Sequence, residues 1–340
     1  MIQVITSTLI AASIIIIALL LDLIFGDPSP NEPNRLQFRL HPTVWMGKLT
    51  AILEPHLKHP NAKIEKFYGV ILGLTVIVAF TVPTYVGLTI LTTYLGMTTY
   101  IGILVYTVVA AVILKLTICM KLETDWCYAA AKAIKTEDLT EARKYAHFSR
   151  RDNRQLTGSQ IASSVIESMA ENLTDFRLSP LLYFSFFGVP GAVAFRAINT
   201  LDGMVGFRDP KHINTGWFSA VSDTIVNYIP ARLTAVLMVI AAALLGEDYK
   251  TAWRIARRDQ TNTPSRNHGW QMAAIAGALK IQLEKPGQYK VGDATEQITA
   301  DHIIRALKIR NAVFVIFIFL IVLPILFSVN LLLAILPTII

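Results

Sequence analysis

Three carboxylates recur at every fourth position between Ser163 and Asp175: Glu167, Glu171 and Asp175. At roughly 100° per residue they share one helical face with Ser163 and Ser164, while Ala162, Val165, Ile166, Met169 and Leu173 take the other. Like charges at this spacing repel, so the row costs stability unless a cation or ligand lies on it. Hard oxygen donors suit Mg²⁺, which takes one or two carboxylates and fills its shell with substrate phosphates and water. A solvated acidic face is the plain alternative.

Two further polar clusters follow. Arg196, Asn199, Asp202, Arg208 and Asp209 come directly after an apolar run, where ionisable side chains are expensive and point to function. Asp223 and Asn227 stand four apart on one helix face, with Arg232 beyond them. Interface capping and snorkelling would also explain Asn227 and Arg232. There is no G-x-x-x-x-G-K-[ST] loop, no G-x-G-x-x-G, no H-E-x-x-H and no G-x-S-x-G elbow. If ATP is used, carboxylate–Mg²⁺ and arginine contacts must hold it. His41, His56, His59, His147, His212, His268 and His302 are scattered and read as surface or packing residues. Cys119 and Cys127, taken as i and i+8 of one helix, lie about 12 Å apart. That is beyond disulfide reach, so they read as two reduced thiols.

The elements that must position these groups are membrane helices. Of 340 residues, 53% are hydrophobic and 16% charged, with mean hydropathy +0.49. No Asp, Glu, Lys or Arg occurs from Phe67 to Leu114. A span takes about 20 residues, so that stretch holds two, near Tyr68–Thr92 and Tyr100–Met120. Val4–Phe25 is a first span; it lacks the basic start and small-x-small cleavage site of a signal peptide. Ala312–Ile340, broken by Pro324 and Pro337, is one kinked span or a hairpin. Leu181–Ala197 carries the turn signal Gly188-Val-Pro-Gly191 and reads as a hairpin dipping into the membrane, which returns Asn199–Asp202 to the side holding Glu167–Asp175. Ile229–Leu245 reads as a partly buried helix. The fold class is therefore all-α, a polytopic membrane protein of about four to six membrane segments, one of them re-entrant, in a single domain over residues 1–340. The polar regions read as helix, with little strand signal.

The formal net charge is +7. Lys and Arg number six in residues 26–66, nine in 121–179 and eleven in 247–310. The positive-inside rule places all three regions in the cytoplasm and the N-terminus outside. No basic run is interleaved with aromatics, so nucleic acid is disfavoured.

Taken in order, six segments resemble the adenosylcobinamide-phosphate synthase (CobD/CbiB) family of cobalamin biosynthesis, over nearly the whole chain. They are Leu21-Asp22-Leu-Ile-Phe-Gly26-Asp27-Pro28 with His41-Pro42-Thr-Val-Trp45-Met-Gly47; Ile166-Glu167-Ser-Met-Ala-Glu171-Asn172-Leu-Thr-Asp175 with Pro180-Leu-Leu-Tyr183; Gly188-Val-Pro-Gly-Ala192; Arg196-Ala-Ile-Asn199-Thr-Leu-Asp202-Gly-Met-Val-Gly206; Asp223–Asn227 with Pro230-Ala-Arg232; and Pro264-Ser-Arg266-Asn267-His268-Gly-Trp270 with Ala276-Gly-Ala-Leu279. The chain departs from the family pattern at Ser222, often a second acid, and at Arg266, often proline. The resemblance implies an ATP-dependent amide ligase of the cell membrane, its active site cytoplasmic, that joins adenosylcobyric acid, a corrinoid, to an aminopropanol phosphate. For that reaction the chemistry of the clusters points to Glu167, Glu171, Asp175, Asp202 and Asp223 as catalytic acids, the first four as Mg²⁺ ligands. Arg150, Arg151, Arg196 and Arg232 are then candidates for phosphate or propionate, and Asn172, Asn199, Asn227 and Asn267 for the corrin amides. Membrane lipid and other membrane enzymes of cobamide assembly are the expected partners. Two rivals are a Mg-dependent intramembrane prenyl- or CDP-alcohol-type transferase and a non-catalytic scaffold or transporter. No paired halves with broken helices, a frequent transporter feature, are visible.

Overall fold

The computed structural model describes residues 1–97, 99–146 and 153–336. In chain order the helices are α1 (Ile2–Phe25), α2 (Leu36–Leu40), α3 (Pro42–Leu53), α4 (Ala62–Leu95), α5 (Tyr100–Lys115), α6 (Lys121–Lys135), α7 (Leu139–Arg143) and α8 (Gly158–Leu173). There follow α9 (Ser179–Val205), α10 (Trp217–Val226), α11 (Tyr228–Leu244), α12 (Tyr249–Asp259) and α13 (His268–Leu279), then a hairpin of β1 (Gln282–Lys285) and β2 (Tyr289–Gly292), and last α14 (Ala300–Phe317) and α15 (Leu323–Ile335). The protein is an all-α polytopic membrane protein. Ile2–Phe25, Ala62–Leu95 and Ala300–Ile335 are each long and apolar enough to cross a bilayer. In the last, π-helical Ile318–Val322 joins α14 to α15 without a break, so that region is one long helix. The charge-free stretch gives one such helix and the shorter α5.

The chain folds into two compact units. The first comprises Met1–Met120, Ser179–Val226 and Leu320–Ile340. Here α9 packs against α3, α4, α5, α10 and α15, and α1 against α5 and α15. Helix α1 turns Ile14, Ile15 and Ala18 inward and leaves Leu9, Ile16 and Leu20 more than half exposed, the pattern of a lipid-facing surface. Asn61 starts α4 by accepting the Lys63 and Ile64 N–H groups.

Helix α9 is not straight. Gly188 has φ 64° and ψ −161°, a conformation other residues rarely adopt, and Pro190 two positions on has no N–H to give. The chain folds back there: the Tyr183 and Phe195 rings stack with centroids 5.4 Å apart, where a continuous helix would separate these residues by about 18 Å. The turn signal thus makes a helical hairpin, and the apolar stretch within residues 158–205 is not one span.

The second unit comprises Lys121–Leu178 and Asn227–Phe319. Its centre is α13, buried from Gln271 to Leu279 and packed on α8, α11, α12, α14 and the hairpin. The small residues of α13 let α12 approach; a Cβ on Gly277 would lie 2.6 Å from the Thr251 carbonyl oxygen. Strands β1 and β2 pair antiparallel from Gln282↔Gly292 to Lys285↔Tyr289, and Asp259 accepts the Gly292 N–H at 2.8 Å. The sequence reading missed this hairpin because it is short and β1, Gln282-Leu-Glu-Lys285, has no β-branched residue.

Cys119 and Cys127 are buried and not joined in a disulfide, but they do not share a helix. Cys119 lies between α5 and α6, and only Cys127 is helical. Burial, with Glu123 adding, pushes the Cys127 thiol up to about 12, which leaves it inert.

Candidate functional site

In the second unit the carboxylate row is inside the fold. Thr157 starts α8 with a capping box, exchanging hydrogen bonds with Gln160. Glu167 is 1% exposed, Asp175 is buried and Glu171 is half-buried. Asp175 sits on a π-helical turn, Thr174–Leu178, a widened geometry frequent at functional sites. That turn is tied to α11 by the Thr174 and Thr234 hydroxyls, 2.9 Å apart.

His268, the first residue of α13, stands between the acids. Its Nδ1 is 3.5 Å from Glu171 Oε1 and its Nε2 3.3 Å from Asp175 Oδ2. The ring offsets the repulsion that the i, i+4 spacing would otherwise impose. His268 is therefore a contact partner of two of the expected acids. Beside it, Asn267 Oδ1 accepts from Arg232 Nη1 at 3.1 Å, and the Arg232 guanidinium lies 3.5 Å over the Tyr228 ring. Asp175 Oδ1, Asn172 Nδ2 and both polar atoms of the Gln271 amide are buried without a hydrogen-bond partner among the described residues. Unspent groups gathered in this way call for a ligand or ordered water. Asn227, fully buried, heads α11.

Among the described residues no group of three or more His, Cys, Asp and Glu side chains is gathered to hold a metal. An all-protein cage is therefore not built. The donor set still fits Mg²⁺ held by one or two carboxylates, because Asp175 Oδ1 is unspent and Mg²⁺ draws its other ligands from phosphates and water.

A deeper cluster fixes the frame. Glu123 on α6 accepts from Arg177 on the π-helical turn and, at 3.1 Å, from Arg310 on α14. All three side chains are no more than 4% exposed. Sequence reading counted both arginines as loop charge; nothing local marks them as buried.

In the first unit, the α9 hairpin brings Arg196 and Asn199 back to the end at which Ser179 enters. Arg196 donates to Asn199 Oδ1, and Asn199 to Asp223 Oδ1 on α10, each at 3.4 Å. Asp202 lies one turn on, its carboxylate over Gly206, where a Cβ would come within 2.0 Å of Oδ1. Asp209 shapes a turn instead. It accepts the Lys211 and His212 N–H groups and pairs with the His212 ring. Arg150, Arg151 and His147 lie outside the described residues.

A further ion cluster, whose Asp22, Asp27 and His41 stood in the sequence motifs with no role attached, closes the end of α1. Lys115 Nζ bonds Asp27 and, at 2.6 Å, the Gly26 carbonyl. The His41 ring nitrogen is 3.6 Å from Asp27, and Asp22, fully buried, accepts the Met120 N–H at 3.1 Å. Burial opposes charge on Asp27, but the neighbouring His41 ring and the charge and hydrogen bond of Lys115 outweigh it and hold the carboxyl at about 2.

The chain is 36% identical over 306 residues to a probable cobalamin biosynthesis protein CobD of Methanothermobacter thermautotrophicus, covering 90% of this chain and 95% of that one. It is 37% identical over 276 residues to the cobalamin biosynthesis protein CobD of Geobacter metallireducens, covering 80% and 81%. With the corresponding protein of Dehalococcoides mccartyi it is 32% identical over 281 residues, covering 82% and 86%. No solved structure matches it. The family model described as CobD/Cbib protein matches residues 15–316, and with the ordered motifs and the buried carboxylate row in hand, the chain belongs to the CobD/Cbib family.

Proposed function

We propose that this membrane protein of cobalamin biosynthesis is an ATP-dependent amide ligase, joining the free propionate of adenosylcobyric acid to an aminopropanol phosphate to give adenosylcobinamide phosphate. The family supports the pathway. The observation that carries the reaction is the Glu171–His268–Asp175 arrangement, with Arg232 and Asn267 beside it and unspent polar atoms around it. A carboxylate does not acylate an amine at neutral pH, so it must be activated. The propionate oxygen attacks the γ-phosphorus of ATP and ADP leaves. The amine nitrogen then attacks the acyl carbon, the C–O bond breaks, inorganic phosphate leaves and the nitrogen gives up a proton.

Phosphoryl transfer asks a protein for positioning and charge more than for covalent chemistry. Glu171 and Asp175, with Glu167 behind them, would hold Mg²⁺–ATP, and the ion supplies neutralisation of phosphate charge. His268 keeps the two carboxylates in register. Arg232, fixed over Tyr228, offers a guanidinium for phosphate or propionate, and Asn172 and Asn267 offer amides for the corrin rim. Arg196, Asn199, Asp202 and Asp223 form a second required cluster. The cytoplasmic loops would place the chemistry where ATP is available.

The test is turnover by the detergent-solubilised protein with adenosylcobyric acid, Mg-ATP and a panel of amine phosphates. Corrinoid product and ADP are measured together. Equal amounts of both support the reading and identify the amine. A folded, membrane-competent protein that makes neither product with any amine sinks it.

A further inference from the structure

Helix α12 buries Ala252, Ile255, Ala256 and Asp259 against the second unit and leaves Tyr249, Lys250, Trp253, Arg254, Arg257 and Arg258 exposed. At about 100° per residue the outer face runs from Tyr249 and Trp253 through Arg257 and Lys250 to Arg254 and Arg258. The last two are committed, Arg254 to Asp293 and Arg258 to Asp259 and Asp293. Lys250 and Arg257 have no acidic partner among the described residues. Trp253 and Tyr249 remain 41% and 44% exposed, which is unusual for large aromatics beside four cations on a water-facing helix.

The element just before explains the pattern. On α11, Val236, Ile240 and Leu244 make an exposed apolar stripe at i, i+4 and i+8, and Leu244 is 71% exposed. Gly246, at φ 74°, turns the chain, and Tyr249 and Trp253 follow. Apolar stripe, aromatic pair and cations without an acidic partner among the described residues succeed one another as hydrocarbon, interface and headgroup layers do.

We propose that the outer face of α12 is a lipid-docking surface, with Tyr249 and Trp253 at the level of the glycerol backbone and Lys250 and Arg257 on the phosphates of anionic phospholipids. Charge complementarity selects the anionic class.

The test uses the full chain reconstituted into nanodiscs of phosphatidylcholine or phosphatidylglycerol, brominated high on the acyl chain. The Trp253 signal is the emission of the parent minus that of Trp253→Phe. The expected result is strong quenching of that signal by brominated lipid and little by aqueous iodide. Quenching is at least twofold greater in phosphatidylglycerol, and this preference disappears in Lys250→Glu/Arg257→Glu. Iodide quenching without bromine quenching would show a face turned to water or to another protein and overturn the proposal. Equal quenching in the two lipids would overturn the anionic assignment. Circular dichroism of each variant confirms that the helices remain.

Discussion

His268 gives the carboxylate row its chemical meaning, because its two nitrogens reach the two acids at 3.5 and 3.3 Å. Glu171→Gln relieves repulsion along α8 but gives up the ring contact. These changes nearly cancel, so the thermal midpoint should move by less than about 1 kcal/mol in stability. The amide-forming rate should fall by about 10²–10³, the cost typical of losing one electrostatic partner at a reacting phosphate or oxyanion. Asp175→Asn should behave alike. Unchanged rates for both variants would return the row to a structural role. Asp27 makes the opposite kind of prediction, one of stability alone. Its folded value, about 2, is below the ordinary carboxylate value of about 3.9, so its contribution is complete above about pH 4 and is lost as pH falls toward 2. Asp27→Asn should cost about 2 kcal/mol at neutral pH and flatten the acid limb of a thermal-midpoint profile between pH 5 and 2; an unaltered limb would refute the assignment. The row was legible in the sequence because its spacing matches the helical repeat. His268 was not, since its partners stand far upstream and one histidine at the head of an apolar helix has no periodic signal of its own.

At the level of elements, the Glu123–Arg177–Arg310 cluster pins the π-helical turn carrying Asp175 to α6 and α14. One buried carboxylate serves two buried guanidiniums. Glu123→Gln removes the charge that balances both, although Arg310 keeps its bonds to Thr124 and Asn311, and removal of one partner from a buried ion group costs about 3–5 kcal/mol. The variant should therefore show a sharply lowered thermal midpoint in detergent, with activity lost through unfolding rather than through slowed chemistry. A stable, inactive Glu123→Gln protein would contradict this division of labour. The α9 hairpin was legible beforehand because Gly188-Val-Pro-Gly191 combines a left-handed residue with a missing N–H, a local signal. The buried ion cluster was not, because α6, the turn and α14 are brought together only by packing. The helix shared by Cys119 and Cys127 failed for a related reason. Continuous apolar sequence does not show where α5 stops, and the structure ends it at Lys115.

For the whole molecule, the apolar outward faces and the charge distribution together set a topology. Lys and Arg number six, nine and eleven in residues 26–66, 121–179 and 247–310, and no charged side chain precedes Asp22. Basic loops are retained in the cytoplasm, so these regions should share one side and the N-terminus should lie on the other. The structure selects the probes. Lys58 is a poor one, since it hydrogen-bonds Thr215 and pairs with Glu54 and Glu65. Lys48, Lys135 and Lys290 are exposed, as is Ile2 at 83%. Native Cys119 and Cys127 are buried and should label slowly, which keeps the background low. In intact cells a membrane-impermeant maleimide should modify Ile2→Cys and spare Lys48→Cys, Lys135→Cys and Lys290→Cys; in inverted vesicles the pattern should reverse. The basic loops carry the carboxylate row and α12 as well as the charge bias. Labelling of Lys135→Cys or Lys290→Cys from outside would therefore put the proposed ATP chemistry on the side without ATP, and the ligase reading would fall with the topology.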